Sequence, residues 1–229
     1  MLNLAVIPAY FAARPVQWLS LGLLALTGPL VQVAQAQGEP PFPRSPGGSR
    51  GDVCPLAPLA VPRSALTLWS DRPLFIWQGS LSRLQIVAAE TDEVLWQADP
   101  EAGTTQIQYG AEMPLQPGQE YIWKIYGGPF AVEQLRIPFR IMALERQAVI
   151  ADELRVLNTQ LALEQADLEA QVLRQVTYFA DQYLWADALQ VAATAPAGTE
   201  AAESYLQAAI AQTCGSEDPE AMTAPDQPE

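Results

Sequence analysis

Short apolar runs separated by turn formers occupy the middle of the chain, from Ser64 to Met142. Their spacing predicts about seven strands of a small antiparallel sandwich. These strands are Ala65–Trp69, Leu74–Gln78, Arg83–Ala88, Glu93–Gln97, Thr104–Tyr109, Glu120–Tyr126 and Ile137–Met142. Alternation is clearest in Leu84/Ile86/Ala88 and Tyr121/Trp123/Ile125, so one face of the sheet should be buried. The connectors Asp71-Arg72-Pro73, Gln78-Gly79-Ser80, Asp99-Pro100 and Tyr126-Gly127-Gly128-Pro129 are rich in turn residues. After Met142 the period becomes helical. Leu144, Ile150, Leu154, Leu157 and Leu161 lie on one stripe, and Leu168, Val172, Val176 and Phe179 form a second. Turns are predicted near Gln165–Asp167, with Asp167 as N-cap, and near Asp181–Tyr183, with a further helix over Thr199–Thr213.

The segment Leu115-Gln116-Pro117-Gly118-Gln119-Glu120-Tyr121 places a leucine and a Pro-Gly turn before a tyrosine that opens a strand. This pattern predicts a tyrosine corner, in which the ring packs under the turn and its hydroxyl bonds to backbone a few residues upstream. Proline presets one turn dihedral and glycine accepts a positive φ, so the residue types follow from the geometry. The fold expectation is therefore an immunoglobulin-like or fibronectin-type antiparallel β-sandwich, followed by a C-terminal α-helical hairpin or short helical array. Sandwiches of this kind carry many unrelated functions, so the motif is silent on activity.

At the N terminus, Trp18 to Val33 is apolar and uncharged, Arg14 lies upstream, and Ala34-Gln35-Ala36 offers small residues at both positions a signal peptidase reads. Residues 1–36 are read as a cleaved signal peptide, leaving 193 of the 229 residues as an exported periplasmic or extracellular protein. A membrane anchor is the alternative, but Gly28-Pro29 interrupts the run and it falls short of about 20 apolar residues. Residues 37–53 form a Pro/Gly-rich leader, 54–142 the sandwich, 143–214 the helical region and 215–229 a disordered acidic tail. The leader's Arg50-Gly51-Asp52 matches an integrin-recognition tripeptide, a match too short to carry weight; Gly51 more simply supplies a turn before Cys54. Export would put Cys54 and Cys214 in an oxidising compartment, where two cysteines of one chain usually pair. Such a bond closes a long loop and is worth about 5 kcal/mol in the chain-entropy model. Pairing between two chains is the alternative.

Composition removes most catalytic routes. Histidine is absent and Lys124 is the only lysine, which excludes imidazole bases and ligands, catalytic triads and nearly every Schiff-base mechanism. Two cysteines without histidine cannot complete a zinc site, and no phosphate-binding glycine loop is present. No cofactor or metal is expected. With 12 Lys plus Arg against 26 Asp plus Glu the chain carries −14, which argues against nucleic-acid partners. Glu90, Asp92 and Glu93 lack a calcium-loop pattern, and Asp99, Glu101 and Glu112 cannot be paired into a hydrolytic dyad from sequence. Trp69, Trp77, Trp96 and Trp123 all fall on predicted strands, where core packing competes with sugar stacking.

Three segments together resemble a cyanobacterial family of exported domains of unknown function. They are Gly48-Ser49-Arg50-Gly51-Asp52-Val53-Cys54-Pro55, Ser70-Asp71-Arg72-Pro73-Leu74-Phe75-Ile76-Trp77, and Leu115 to Trp123. The resemblance spans roughly Gly47 to Ile141 and implies a sandwich fold and an exported location, with no catalytic residues. Members of that family often carry a second cysteine after the tyrosine strand, where this chain has Tyr126-Gly127-Gly128. Further on, Tyr178-Phe179-Ala180 and Leu184-Trp185-Ala186-Asp187-Ala188-Leu189 resemble a tetratricopeptide helix pair, without its Leu-Gly pair or later proline. The expected function is a non-catalytic extracytoplasmic interaction or scaffold module for a protein partner; the helical surface around Tyr183 and Trp185 is a candidate docking face, the alternative being that both pack helix against sandwich. A carbohydrate-binding module using the strand tryptophans is the alternative.

Overall fold

The computed structural model describes residues 53–59 and 66–215, which form two sheets followed by four helices. The expected signal peptide, nearly all of the expected leader with Arg50-Gly51-Asp52, and the expected tail beyond Gly215 lie outside the described residues. A three-stranded sheet contains β1 (Val53–Ala57), β3 (Leu74–Gly79) and β6 (Gln106–Gln108) in the order β1-β3-β6. A five-stranded sheet contains β2 (Leu66–Leu68), β4 (Arg83–Ala88), β5 (Val94–Ala98), β7 (Glu120–Gly127) and β8 (Val132–Ile141), in the order β2-β8-β7-β4-β5. Among the described residues no barrel is closed. The helices are α1 (Leu144–Leu163), α2 (Leu168–Asp181), α3 (Trp185–Thr194) and α4 (Glu200–Cys214).

Three details correct the expectations from sequence. An eighth strand, β1, opens at Val53, one residue inside the expected leader, and pairs with β3. The last strand begins at Val132 rather than Ile137, because β7 and β8 form a long hairpin whose tip carries the Gly127-Gly128-Pro129 turn. Its first five residues are solvent-exposed, so burial imprints no alternation on them. Finally, the antiparallel rule fails at one edge: β2 runs parallel to β8, pairing Leu66 with Phe139 and Leu68 with Ile141. That pairing stops short of Pro138, which lacks an N–H to donate and so sits where β8 has a neighbour on one side only.

Apolar residues of both sheets and the helices form one cluster. Phe75 on β3 meets Trp123 on β7 at 5.0 Å between ring centroids and Phe139 on β8 at 6.2 Å, which joins the two sheets. Trp69 and Phe179 on α2, 5.5 Å apart, extend the cluster into the helices. Asp167 caps α2 by accepting the Ala170 N–H at 2.8 Å, and Gln165 just before it turns the chain with a positive φ. Buried Ala180, Ala186, Ala188 and Ala192 let α2 and α3 approach closely. By contrast α1 buries only Ile150 and Leu161, and Tyr178–Glu153 and Gln175–Asn158 hydrogen bonds help tie it to α2. Cys54 on β1 and Cys214 at the end of α4 form a disulfide within the chain, with Cα atoms 5.9 Å apart.

Candidate functional site

The densest polar arrangement lies where the segment Trp69–Pro73, between β2 and β3, meets the helices. This is the Ser-Asp-Arg-Pro stretch, and its backbone leaves the sheet ladders there, so its donors need other partners. Asp187 supplies two: its carboxylate oxygens accept the N–H groups of Trp69 and Ser70, each at 2.9 Å. Gln190, one turn along α3 on the same face, accepts the Leu74 N–H at 2.9 Å. Gln147 on α1 completes the set, accepting from the Trp69 indole at 3.2 Å and donating to the Trp69 carbonyl at 2.8 Å. On the other side the Arg72 guanidinium donates to the carbonyls of Ala111 and Glu112, both at 2.7 Å.

Asp187 is buried, as are its chain neighbours Trp185, Ala186, Ala188 and Leu189. Burial pushes its pKa up to about 6, against the opposing pull of the Trp69 and Ser70 hydrogen bonds. Its place in the first turn of α3, where the helix end is partly positive, also favours the charge. Asp187 and Gln190 were not singled out from sequence. The available signal was a lone acid inside the apolar run Leu184–Leu189, a position that demands partners if it is buried.

The residues predicted from sequence separate into distinct places. Tyr121 is buried and its hydroxyl accepts the Gln116 N–H at 2.8 Å, while Leu115 is buried beside it and Gly118 adopts φ 78° in the turn with Pro117. Trp77 and Trp123 have no solvent exposure and cannot stack on a sugar; Trp69 and Trp96 are half-buried. Trp96 is on the edge strand β5, wedged against Tyr109 at 5.3 Å. Tyr183 and Trp185 touch edge to face at 6.2 Å, yet Tyr183 is 77% exposed and Trp185 only 9%. Trp185 therefore packs into the core and does not share an exposed face with Tyr183.

The acids are likewise scattered or paired. Asp92 receives Lys124 and Arg136, both at 2.6 Å, and these hold its carboxyl below the usual range, Lys124's hydrogen bond first. Asp99 bonds Arg83 at 2.7 Å, whereas Glu101 and Glu112 are exposed. Among the described residues no group of three or more acids or cysteines could hold a metal ion, and no helix is long and apolar enough to cross a membrane. An open groove of about 600 Å³ runs beside α1, lined by Trp69, Ala151, Leu154, Arg155, Asn158 and Ala162 among others, with no carboxylate in its lining. Comparison of the chain with protein-family models, curated proteins and solved structures finds no match.

Proposed function

We propose that this chain is a non-catalytic, exported interaction module: an immunoglobulin-like sandwich locked to a tetratricopeptide-like helical array and presented to a protein partner outside the cytoplasm. One observation carries the reading. Asp187, whose burial makes it the best-placed carboxylate for acid–base work, spends both oxygens on backbone N–H groups that bind sheet to helices. Such a group, buried and committed to the fold's own backbone, stiffens a scaffold. The disulfide between β1 and α4, made across the same two halves, suits an oxidising compartment. The Ser70-Asp71-Arg72-Pro73 stretch of the exported-domain resemblance falls at this joint, which gives that motif a structural purpose.

The test has two arms. Intact mass of the protein recovered from its source cell should begin at Gln37 in an extracytoplasmic fraction, and affinity capture there should retain one partner at fixed stoichiometry. A full-length chain in the cytosol, or turnover abolished by neutralising one carboxylate, ends the reading. The sugar alternative draws on Trp69, which lines the groove beside α1. It predicts a shift of tryptophan fluorescence with envelope polysaccharide fragments that Trp69→Phe removes.

A further inference from the structure

The hairpin of β7 and β8 ends in an apolar tip that stands out from the fold. Gly128 to Ala131 form a turn closed by the Ala131 N–H on the Gly128 carbonyl at 3.2 Å, with Pro129 presetting the first central dihedral. Phe130 occupies the second central position and is 88% exposed, and Val132 next to the turn is 62% exposed. Ala131 holds φ at 46°, a left-handed conformation unfavourable for a residue with a side chain. A strained turn that aims an aromatic ring at water adds nothing to the core; strain of this kind is kept where a surface has work to do. From Gly127 to Val132 the chain carries no charge.

A receptor for such a ring lies on the same chain. The groove of about 600 Å³ beside α1 offers Trp69 and Leu154 as apolar walls, with Ala151 and Ala162 leaving room between them. Trp69 is fixed in place: Asp187 takes its backbone N–H, Gln147 holds its indole N–H and its carbonyl, and its ring rests 5.5 Å from Phe179. Tip and groove belong to opposite ends of the sandwich. β8 runs from Val132 at the tip to Ile141, about 30 Å of strand. Trp69 follows Leu68, the partner of Ile141 at the far end. Phe130 therefore cannot fill the groove of its own chain. We infer that the Phe130 tip of one copy seats against Trp69 in the α1 groove of the next, joining copies head to tail. The nearest carboxylates are already neutralised, Glu133 by Arg136 and Asp152 by Arg155, so a chain of −14 meets its copy here without bare like charge. Each contact leaves one tip and one groove open, so assembly continues past the dimer. One aromatic and its neighbours make a small interface, in the weak class below about 1,200 Å². The contact depends on neither export nor a foreign partner, so it stands or falls apart from the proposed function.

The experiment is sedimentation of the protein as its source cell processes it, from about 20 µM to about 1 mM, in about 0.15 M salt to screen long-range repulsion. The average mass should climb steadily with concentration and pass that of a dimer. Phe130→Ser removes the tip and Ala162→Arg fills the groove; both positions are exposed, so the thermal midpoint should stay at the parent's value. Each variant alone should associate more than about tenfold more weakly than the parent. Mixed, the two should form a dimer that grows no further, because the Phe130→Ser copy keeps a groove and the Ala162→Arg copy keeps a tip. A parent that stays monomeric to 1 mM overturns the inference, whether the groove is bare or holds another segment of the chain. So does a mass that levels off at the dimer, an assembly indifferent to Phe130→Ser, or a mixture of the two variants that stays monomeric.

Discussion

The carboxylate of Asp187 accepts the backbone N–H groups of Trp69 and Ser70 at the same distance, 2.9 Å, so one side chain of α3 holds the chain between β2 and β3 in place. Asp187→Ala leaves two buried donors without acceptors and should cost about 2–4 kcal/mol in chemical denaturation. Asp187→Asn keeps one oxygen and should cost about half as much. Equal stability of the alanine variant and the parent would show that the joint is held elsewhere.

The same residue predicts a pH dependence of unusual sign. Its pKa in the folded chain is raised to about 6 from an ordinary value of 3.8, so folding favours the neutral form. The stability this contributes is complete below about pH 4 and is lost as pH rises through about 6, on the order of 3 kcal/mol. Asp92 and Asp99, held below their ordinary range by Lys124 and Arg83, act in the opposite direction and mask the effect in the parent alone. The informative quantity is the difference in unfolding free energy between parent and Asp187→Asn. It should grow in the parent's favour between about pH 7 and pH 4.5; a flat difference contradicts the assignment.

The turn before β7 makes a second stability prediction. Tyr121→Phe removes the hydroxyl that the Gln116 N–H donates to, at 2.8 Å, and should cost about 1–2 kcal/mol. Gly118→Ala meets open space but must hold φ at 78°, so its cost of about 1 kcal/mol is backbone strain alone. Thermal unfolding of the pair of variants, singly and combined, should show less than additive loss, because the second change acts on a turn the first has already loosened.

How much could be read from sequence follows from where burial imposes a period. Leu84/Ile86 and Tyr121/Trp123/Ile125 face the core, so their alternation marked β4 and β7 correctly. Val132–Arg136 is exposed along the hairpin, so no pattern revealed that half of β8. β1 was hidden because four of its five residues are buried, which erases alternation and leaves a short apolar run next to prolines. The site was harder still. Asp187 and Trp69 are 118 residues apart in sequence, and only the fold shows that an acid in an apolar run answers two stranded N–H groups. Trp185 left two readings open for the opposite reason: an aromatic beside Tyr183 suits either a surface pair or a helix-to-sandwich contact, and only the fold shows that the N terminus of α3 turns it into the core.

Removing the Cys54–Cys214 bond with Cys54→Ser and Cys214→Ser frees β1 from the end of α4 and opens a loop of sequence separation 160. The chain-entropy relation gives up to about 5 kcal/mol at this length. Hydrogen exchange should then rise first in β1 and α4, which lie at the two ends of the bond, while β4 and β7 stay protected. Uniform loss of protection would mean that sheets and helices unfold as one unit.

Lys124 lies nearly buried on β7, and Asp92, on the turn before β5, is its hydrogen-bonded partner at 2.6 Å. The ammonium has left water for a half-exposed carboxylate that also binds Arg136. Removing the acid strands the cation, whereas removing the cation leaves Asp92 with Arg136 and partial access to water. Asp92→Asn should therefore destabilise more than Lys124→Met, and the double variant should recover most of the loss. Because Lys124 is the only lysine, amine acylation followed by peptide mass analysis reads this site without interference from other side chains. Modification should be slow in the parent and faster in Asp92→Asn, since the freed ammonium must seek solvent. If Lys124→Met proves the costlier change, or if acylation of Lys124 is fast in the parent, the carboxylate is not what keeps this cation inside.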